Sequence, residues 1–197
     1  TSTTTVGADG KWALEADGPK PDGEVTANAT DKAGNTSPDA KAVWDTTPPS
    51  QVVAITGVTA DTGASASDFV TSDQTLIFSG TISAPLGDGE KVQVSLDGGK
   101  TWHDAVSSGT GWSYDNRGMS LPDGKYTLQA RTIDASGNVG RTASQVVTID
   151  TSTSVSIVVS DPDQDGMINA VGTAEPGSTV TVTWPDGRTS TTHTNPD

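Results

Sequence analysis

The chain has 197 residues, a net charge of −14 at neutral pH and no cysteine. An acidic excess of this size disfavours binding to nucleic acid and suits a surface that meets divalent cations. Without cysteine, small domains lack disulfides and need another link, such as a bound metal. No apolar run is long enough to span a membrane, which argues against membrane insertion. The opening TSTTT has neither an initiating methionine nor a secretory signal, so we expect a piece of a longer protein.

Glycine, proline, serine and threonine occur throughout the chain and predict many short strands joined by turns. There are 22 glycines and 11 prolines, and only 31% of the residues are hydrophobic. The hydrophobic residues are nevertheless grouped into alternating runs, as in half-buried strands, and are not diluted evenly as in disordered chains. We therefore predict an all-β protein with thin cores and almost no helix.

One sequence pattern occurs twice. Its marks are a tryptophan, the tripeptide PDG, an aspartate-led turn and a closing aspartate, which fall at Trp12, 21–23, 31–35 and Asp45 and again at Trp112, 122–124, 134–138 and Asp150. The closing aspartates are 105 residues apart, which is the size of an immunoglobulin domain. The repeat predicts three parts: the C-terminal part of a first domain at 1–45, a complete domain at 46–150 and the N-terminal part of a third domain at 151–197.

Seven strands are predicted in the middle segment: Val53 to Val58, Thr75 to Ser83, Lys91 to Leu96, Thr101 to Ala105, Gly111 to Tyr114, Lys125 to Ile133 and Ser144 to Ile149. We expect a core between two sheets built from Leu76, Phe78, Ile82, Val92, Val94, Trp112, Tyr126, Leu128 and Ile149. The position of Tyr126 near the start of the sixth strand resembles the tyrosine corner of immunoglobulin folds.

The two outer segments are complementary parts of the same repeat. Together they contain 92 residues, which is close to one domain. Two interpretations stay open: neighbouring domains are cut, or the parts complement each other between molecules, head to tail.

Acidic residues are concentrated around the second joint, between the middle and last segments. Asp161, Asp163 and Asp165, followed by Gly166, reproduce the first half of a calcium loop, in which alternate carboxylates turn towards one ion. The closing glutamate of such a loop is missing, so we expect Asp134 and Asp150 to supply further oxygens. The alternative is that these aspartates belong to ordinary turns and accept backbone hydrogen bonds. Because three unpaired carboxylates in one loop repel each other, calcium is the favoured interpretation.

The first joint has the equivalent residues. Asp31 and Asp45 repeat the positions of Asp134 and Asp150, and Asp61 would complete a second calcium site, with a contribution from Asp68 or Asp73. Pro48 and Pro49 already stiffen this linker, whereas the second joint has no proline.

No catalytic group is indicated. SLDGGKTW at 95–102 matches an Asp-box, a turn motif of β-propellers, but a single copy is better explained as a hairpin with Trp102 covering its edge. His103 and His193 lie in different segments, on the surface and without a nucleophile nearby. Pairs of carboxylates can be chosen at will from 21 aspartates, so they do not indicate a glycosidase. We predict that the protein is not an enzyme.

The marks DGKW…PDG…ATDKAGN…VWDTTPP and GW…LPDGKY…IDASGN…TIDTST, with ITGVTADTGASASDFVTSDQTLIFSGT between them, resemble the bacterial Ig-like repeats of giant type I-secreted non-fimbrial adhesins. The resemblance covers essentially the whole chain. It implies tandem immunoglobulin-like β-sandwich domains in a rod-like array on a bacterial surface. It also implies calcium at the joints and a host-binding region far from most repeats.

We therefore expect a structural stalk segment of a secreted, surface-bound adhesin involved in virulence, with Ca²⁺ as its cofactor. Its partners would be the neighbouring repeats of the same chain and, through the parent protein, glycans of the host-cell surface. The competing class is a Ca²⁺-dependent carbohydrate-binding module. Such a module would present an exposed aromatic platform beside the metal.

Overall fold

A computed structural model describes residues 2–63, 65–161 and 165–195. These residues form strands and turns without a helix, which confirms the predicted all-β class. In the described part of the chain, accordingly, no helix is long and apolar enough to cross a membrane.

Fifteen strands are present in the described residues. The first segment contains β1 (Gly23–Ala27) and β2 (Ala40–Trp44). The middle segment contains β3 (Val53–Val58), β4 (Val70–Thr71), β5 (Ile77–Ile82), β6 (Lys91–Ser95), β7 (His103–Asp104), β8 (Val106–Ser108), β9 (Gly111–Asp115), β10 (Gly124–Ile133) and β11 (Val139–Ile149). The last segment contains β12 (Val158–Ser160), β13 (Asn169–Val171), β14 (Thr179–Thr183) and β15 (Thr189–His193).

The middle segment is a sandwich of two sheets. One has the strand order β3-β5-β9-β8, and the other has the order β4-β11-β10-β6-β7. All neighbours are antiparallel except β4, which pairs in parallel with the end of β11. All seven predicted strands have counterparts in the structure, but Thr101 to Ala105 keeps only the two residues of β7, because residues 97–101 form a hydrogen-bonded turn. The short strands β4 and β8 were not predicted.

The core lies between these two sheets and contains the predicted residues. Eight of the nine are buried: Leu76, Phe78, Ile82, Val92, Val94, Trp112, Leu128 and Ile149. The ninth, Tyr126, is half-buried, and its hydroxyl donates a hydrogen bond to the carbonyl oxygen of Pro122 over 2.8 Å. This contact matches the predicted tyrosine corner.

A glycine in β5 allows the side chain of Trp112 on β9 to reach across to β3. The indole nitrogen of Trp112 donates to the carbonyl oxygen of Ala54 over 3.1 Å, across the intervening strand β5. A Cβ atom at Gly80 would lie 2.0 Å from that oxygen and 2.5 Å from the indole ring. Any side chain at position 80 would therefore displace the buried indole of Trp112 or the backbone of β3.

The Asp-box forms a turn between β6 and β7. Asp97 accepts hydrogen bonds from the backbone nitrogens of Lys100 and Thr101 and from the hydroxyls of Ser95 and Thr101, at 2.7 to 3.0 Å. These bonds, led by the Thr101 backbone, hold the pKa of Asp97 far below its usual value. Trp102 donates its indole hydrogen to the carbonyl oxygen of Gly99, and the guanidinium of Arg131 lies over its ring at 3.9 Å. The motif fastens a hairpin, as the sequence predicted.

The outer segments form small separate sheets. β1 pairs with β2, β12 with β13 and β14 with β15, and among the described residues none of these pairs has a further strand beside it. Their large apolar side chains, among them Val25, Trp44, Val158 and Val171, remain exposed.

We predict that Gly80→Ala destabilises the middle domain by about 1–3 kcal/mol or more, because the added methyl group meets backbone and indole atoms that cannot both move. Urea unfolding followed by tryptophan fluorescence measures the loss. Gly118→Ala is the matched control, since a Cβ there meets no atom within 4 Å. Equal unfolding midpoints for the two variants would contradict the predicted clash.

We predict that Asp97→Asn lowers the urea midpoint at pH 7 and that the difference disappears in acid. The folded-state pKa of Asp97 is depressed, so its contribution is present above its unfolded pKa, near 3.8, and is lost as the pH falls below that value. Asp88→Asn removes the same charge from an exposed turn and serves as the control. A difference that persists unchanged at pH 2 would show that the charge of Asp97 is not the cause.

Candidate metal-binding joints

The two joints lie at opposite ends of the middle sandwich. β10 and β11 pair along nearly their whole length, from Gly124 opposite Ile149 to Ile133 opposite Val139. β11 has 11 residues, so its ends are separated by about 33 Å. The turn at 134–138 therefore belongs to the end next to the first joint, and Asp150 belongs to the end next to the second.

This geometry corrects the expected ligand set. Asp134 and Asp150 do not meet at the second joint, because an extended strand separates them. Asp134 lies at the first joint, where the side-chain amide of its neighbour Asn138 donates to the backbone oxygen of Asp45 over 2.9 Å. The contact connects the first segment to the middle domain.

The carboxylate of Asp134 is occupied by its own turn. Its Oδ1 accepts from the backbone nitrogens of Ser136 and Asn138 at 2.9 and 2.8 Å, and its Oδ2 accepts from the Asn138 side chain at 2.9 Å. Desolvation raises the pKa of Asp134, but these hydrogen bonds outweigh it and the net shift is downward. The described contacts correspond to the turn interpretation of DASGN.

Asp31 forms the same turn in the first segment. Its two oxygens accept hydrogen bonds from the backbone nitrogens of Ala33 and Asn35 and from the Asn35 side chain. These bonds, chiefly those from Asn35, lower the pKa of Asp31. Asp31 lies beyond the Ala27 and Ala40 end of the β1–β2 hairpin, whereas Asp45 follows the other end. The expected pair of Asp31 and Asp45 is therefore also separated by the length of a hairpin.

Two aspartates that were not predicted as ligands accept hydrogen bonds from threonines of the two linkers. Asp22 accepts hydrogen bonds from the backbone nitrogen and hydroxyl of Thr46 and from the hydroxyl of Thr47, which lower its pKa, the Thr47 bond most strongly. At the second joint, Asp123 accepts from the hydroxyl of Thr151 at 2.8 and 3.1 Å. We call these two contacts the Asp–Thr clasps. The repeated PDG, followed by a threonine after each closing aspartate, was the signal for them.

At the second joint, Asp150 borders a cleft next to the loop that precedes β4. The backbone nitrogen of Asp150 donates to the carbonyl oxygen of Thr71 over 2.9 Å, and its carboxylate accepts from the Ser152 nitrogen at 3.3 Å. The cleft has a volume of about 180 Å³ and is lined by Thr62, Gly63, Val70, Thr71, Ser72, Asp150 and Ser152.

Asp61 lies in this same loop and not at the first joint, which is a second correction. Residues 53–58 of β3 run away from the first joint, so the loop that follows them reaches the opposite end of the sandwich. From the sequence, Asp61 is expected at the first joint because it is close in the chain to Asp45. The direction of β3 places it at the second joint instead.

One oxygen of Asp61 is buried without a hydrogen bond. Its Oδ2 accepts from the Phe69 nitrogen at 3.1 Å, whereas its Oδ1 has no partner among the described residues. Ala60 and Phe69 both have positive φ angles, 52° and 62°, which are unfavourable for residues with a side chain. Gly63 closes the loop tightly, since a Cβ there would lie 2.9 Å from Asp68 Oδ1.

Asp161 repeats the environment of Asp61 in the last segment. Its Oδ2 accepts from the Gly166 nitrogen at 3.1 Å, and its Oδ1 is buried without a partner among the described residues. Asp165 accepts from the Met167 nitrogen at 2.8 Å, and Asp163 lies outside the described residues. The loop follows the end of β12 that is farther from the linker, so Asp161 and Asp150 are separated by an extended stretch.

The remaining candidates form local contacts. Asp68 and Asp73 accept hydrogen bonds within their own turns. In the part of the chain that the structure describes, no three His, Asp or Glu side chains converge as a metal site. His103 stacks on Tyr114 with ring centres 5.6 Å apart, and both histidines are exposed, as predicted.

The exposed aromatic platform expected of a carbohydrate-binding module is not formed by Trp112 or Trp102 of the middle domain. Trp112 is buried, and Arg131 covers one side of the Trp102 ring. Trp44 and Trp184 lie in the first and last segments.

Comparisons with solved structures give remote similarities. A tetra-tandem repeat in the extending region of a large adhesion protein is 26% identical, and the match covers 96% of this chain and 50% of that one, with a TM-score of 0.34. The sulfane dehydrogenase SoxCD from Paracoccus pantotrophus is 24% identical over 57% of this chain and 27% of its own, with a TM-score of 0.31. The chain thus spans half or less of the length of either one. No curated protein matches.

The sequence of the middle segment matches a known domain family. Residues 47–151 match the model of the bacterial Ig-like domain. The match covers the two-sheet sandwich of β3 to β11 and the tyrosine corner. The chain therefore belongs to the bacterial Ig-like domain family.

Proposed function

We propose that this chain is a stalk segment of a bacterial surface adhesin, in which tandem Ig-like domains are held in line by their joints. The observation that carries the proposal is that equivalent contacts hold the two linkers, each made by the segment that precedes the linker: Asp22 of the first segment and Asp123 of the middle domain. An Asp–Thr clasp is present at each joint, and Asn138 in addition binds the backbone of Asp45. A stalk domain that keeps its two neighbours in a fixed orientation needs such contacts at both of its ends.

The proposal includes the wider setting implied by the sequence resemblance. The parent protein would leave the cell by type I secretion, remain at the bacterial surface and carry a distal region that binds host glycans. The neighbouring repeats would be the direct partners of this segment. The strongly acidic surface, with a net charge of −14, is compatible with this location because divalent cations there offset self-repulsion.

Calcium is the proposed cofactor of the joints. A buried carboxylate oxygen without a hydrogen bond is costly, and a bound cation removes this cost. Asp61 Oδ1 meets this description beside the cleft that Asp150 borders, and Asp161 Oδ1 meets it in the following repeat. Hard oxygen donors of this kind suit Ca²⁺.

The proposed ligands differ in how many carboxylate oxygens they have free to bind an ion. Asp61 and Asp150 would hold an ion at the second joint, and Asp161, with Asp163 and Asp165, would hold the equivalent ion one repeat further on. Asp31, Asp45 and Asp134 would contribute only through oxygen lone pairs that their turns leave free, because turn donors already occupy these carboxylates.

Bound calcium would stabilise one relative orientation of two domains. An ion that binds only when both sets of ligands are in place shifts the equilibrium towards the aligned state by its own binding free energy. Removal of the ion leaves like charges close together, and the acidic loops then repel each other.

We predict that Asp61→Asn weakens calcium binding at the second joint by at least about tenfold, because the variant loses a charged oxygen ligand. Calorimetric titration of the whole chain with CaCl₂ measures the effect. Asp88→Asn removes one charge from an exposed turn and is expected to bind calcium as the unaltered chain does.

Small-angle scattering with and without chelator should show a longer particle with calcium in both the unaltered chain and this control. Absence of any calcium heat in the unaltered chain would refute the cofactor.

We predict that Asp123→Ala loosens the second joint more than Asp22→Ala loosens the first. The first linker keeps Pro48 and Pro49 after its clasp is removed, whereas the second has no proline. Spin labels on cysteines introduced at the exposed Val106 and Thr192 report the width of the distance distribution across the second joint. A label pair at Val106 and Lys41 reports the first. Equal broadening at the two joints would contradict the role given to the prolines.

A further inference from the structure

Tension along a stalk reaches the middle domain through its first and last strands. The first linker leads into β3 and β11 leads into the second linker, so the load enters at one end of the sandwich and leaves at the other. β3 and β11 both run from the first joint towards the second. Each is therefore pulled along its own axis, across hydrogen bonds that lie perpendicular to the strands. The bonds of one strand then share the load.

The sandwich holds β3 less firmly than it holds β11. Among the described residues, β3 has six residues, lies at the edge of its sheet and pairs only with β5. β11 has 11 residues, pairs with β10 along nearly its whole length and is held on its other side by β4. Of the buried hydrophobic side chains in the described core, only Val53 belongs to β3. We therefore expect β3 to detach before any other strand.

The segment between β3 and β4, residues 59–69, is a strap at the second-joint end of the sandwich. The hydroxyl of Thr71 in β4 donates to the carbonyl oxygen of Ala60 and ties the strap down. Ala60 and Phe69 both have positive φ angles, so the closed strap contains strained backbone. Once β3 is free, the load pulls the strap from one end and its contacts are loaded one after another. Detachment of β3 therefore leads directly to opening of the strap.

The pairing of β4 with β11 stops this extension. The backbone nitrogen of Thr148 donates to the carbonyl oxygen of Phe69 over 2.8 Å. That of Asp150 donates to the carbonyl oxygen of Thr71 over 2.9 Å. The load would pull β4 towards the first joint and the parallel strand β11 towards the second, so both bonds are loaded together in shear. Phe69 and Leu76, on either side of β4, are in addition buried in the core.

We propose that tension releases β3 and the strap first, so that the stalk lengthens by a defined step while the rest of the sandwich stays folded. The released segment is residues 49–69. At about 3.5 Å per residue it spans about 70 Å and replaces the folded length of about 33 Å, so the net gain is about 40 Å. Below the releasing force the domain keeps its constant length.

This device rests on the proposed stalk function for its load and goes beyond it, because it makes the domain extensible before the domain unfolds. The step itself is a property of the fold. It would be measured even if the chain had another function, so the two proposals can fail separately.

Single-molecule force spectroscopy of the whole chain tests the release. Handles attached to azide-bearing side chains at Thr47 and Thr153 place only the middle domain and the adjoining linker residues under load. A chelator keeps the result independent of the proposed calcium. We expect a first step of about 40 Å and then a second of about 280 Å, the length of the remaining chain up to residue 150. Unfolding in a single step of about 320 Å would overturn the proposal and leave the stalk function untouched.

Two disulfide staples identify the released segment. Ala54 is opposite Thr81 in the β3–β5 pair, and Val70 is opposite Thr148 in the β4–β11 pair. Because the chain has no cysteine, each double variant can form only the intended disulfide. Ala54→Cys with Thr81→Cys should abolish the first step. Val70→Cys with Thr148→Cys should keep the first step at its full length and abolish the second, since the load then bypasses the core.

Reduction of each disulfide is the matched control and should restore both steps. A first step that persists with the β3–β5 staple would show that another strand is released. A first step that is lost with the β4–β11 staple would show that the released residues lie beyond β4. Either result would overturn the proposal.

Discussion

The hairpin of β10 and β11 sets the distance between the two joints of this protein. Its backbone ladder extends over nearly the full length of the sandwich, and chain segments attach at both of its ends. Because a paired strand cannot shorten without losing its hydrogen bonds, the distance between the two joints is fixed by the number of residues in β11. A unit of constant length that is fastened at both ends is what a stalk requires.

The same turns and clasps are used on both sides of this unit. Asp31 and Asp134 cap equivalent turns, and Asp22 and Asp123 hold equivalent threonines. The first three of these carboxylates each accept several donors, and Asp123 accepts the hydroxyl of Thr151 at both of its oxygens, so each charge is used to hold the local backbone. Among the described aspartates, Asp61 and Asp161 are the two whose loops leave one carboxylate oxygen buried without a hydrogen bond.

The contact of Trp112 with Gly80 lies inside the two-sheet sandwich of the middle domain, whose core is buried. In the described parts of the outer segments, the strands form two-stranded sheets with exposed apolar side chains. A two-stranded sheet by itself is only marginally stable in water, so the stable unit among the described residues is the middle sandwich.

The sequence by itself determined the all-β class, the strands of the middle segment, its buried residues and the tyrosine corner, because alternation and turn residues act locally. It also determined the structural role of the Asp-box, since one turn contains all its hydrogen bonds. Only the tertiary structure decided which aspartates lie together. Nearness in the chain grouped Asp134 with Asp150 and Asp61 with Asp45, but strand direction places the members of each pair at opposite ends of the sandwich. The alternation of side chains does not show in which direction a strand runs through the sandwich. The pairing of the strands does.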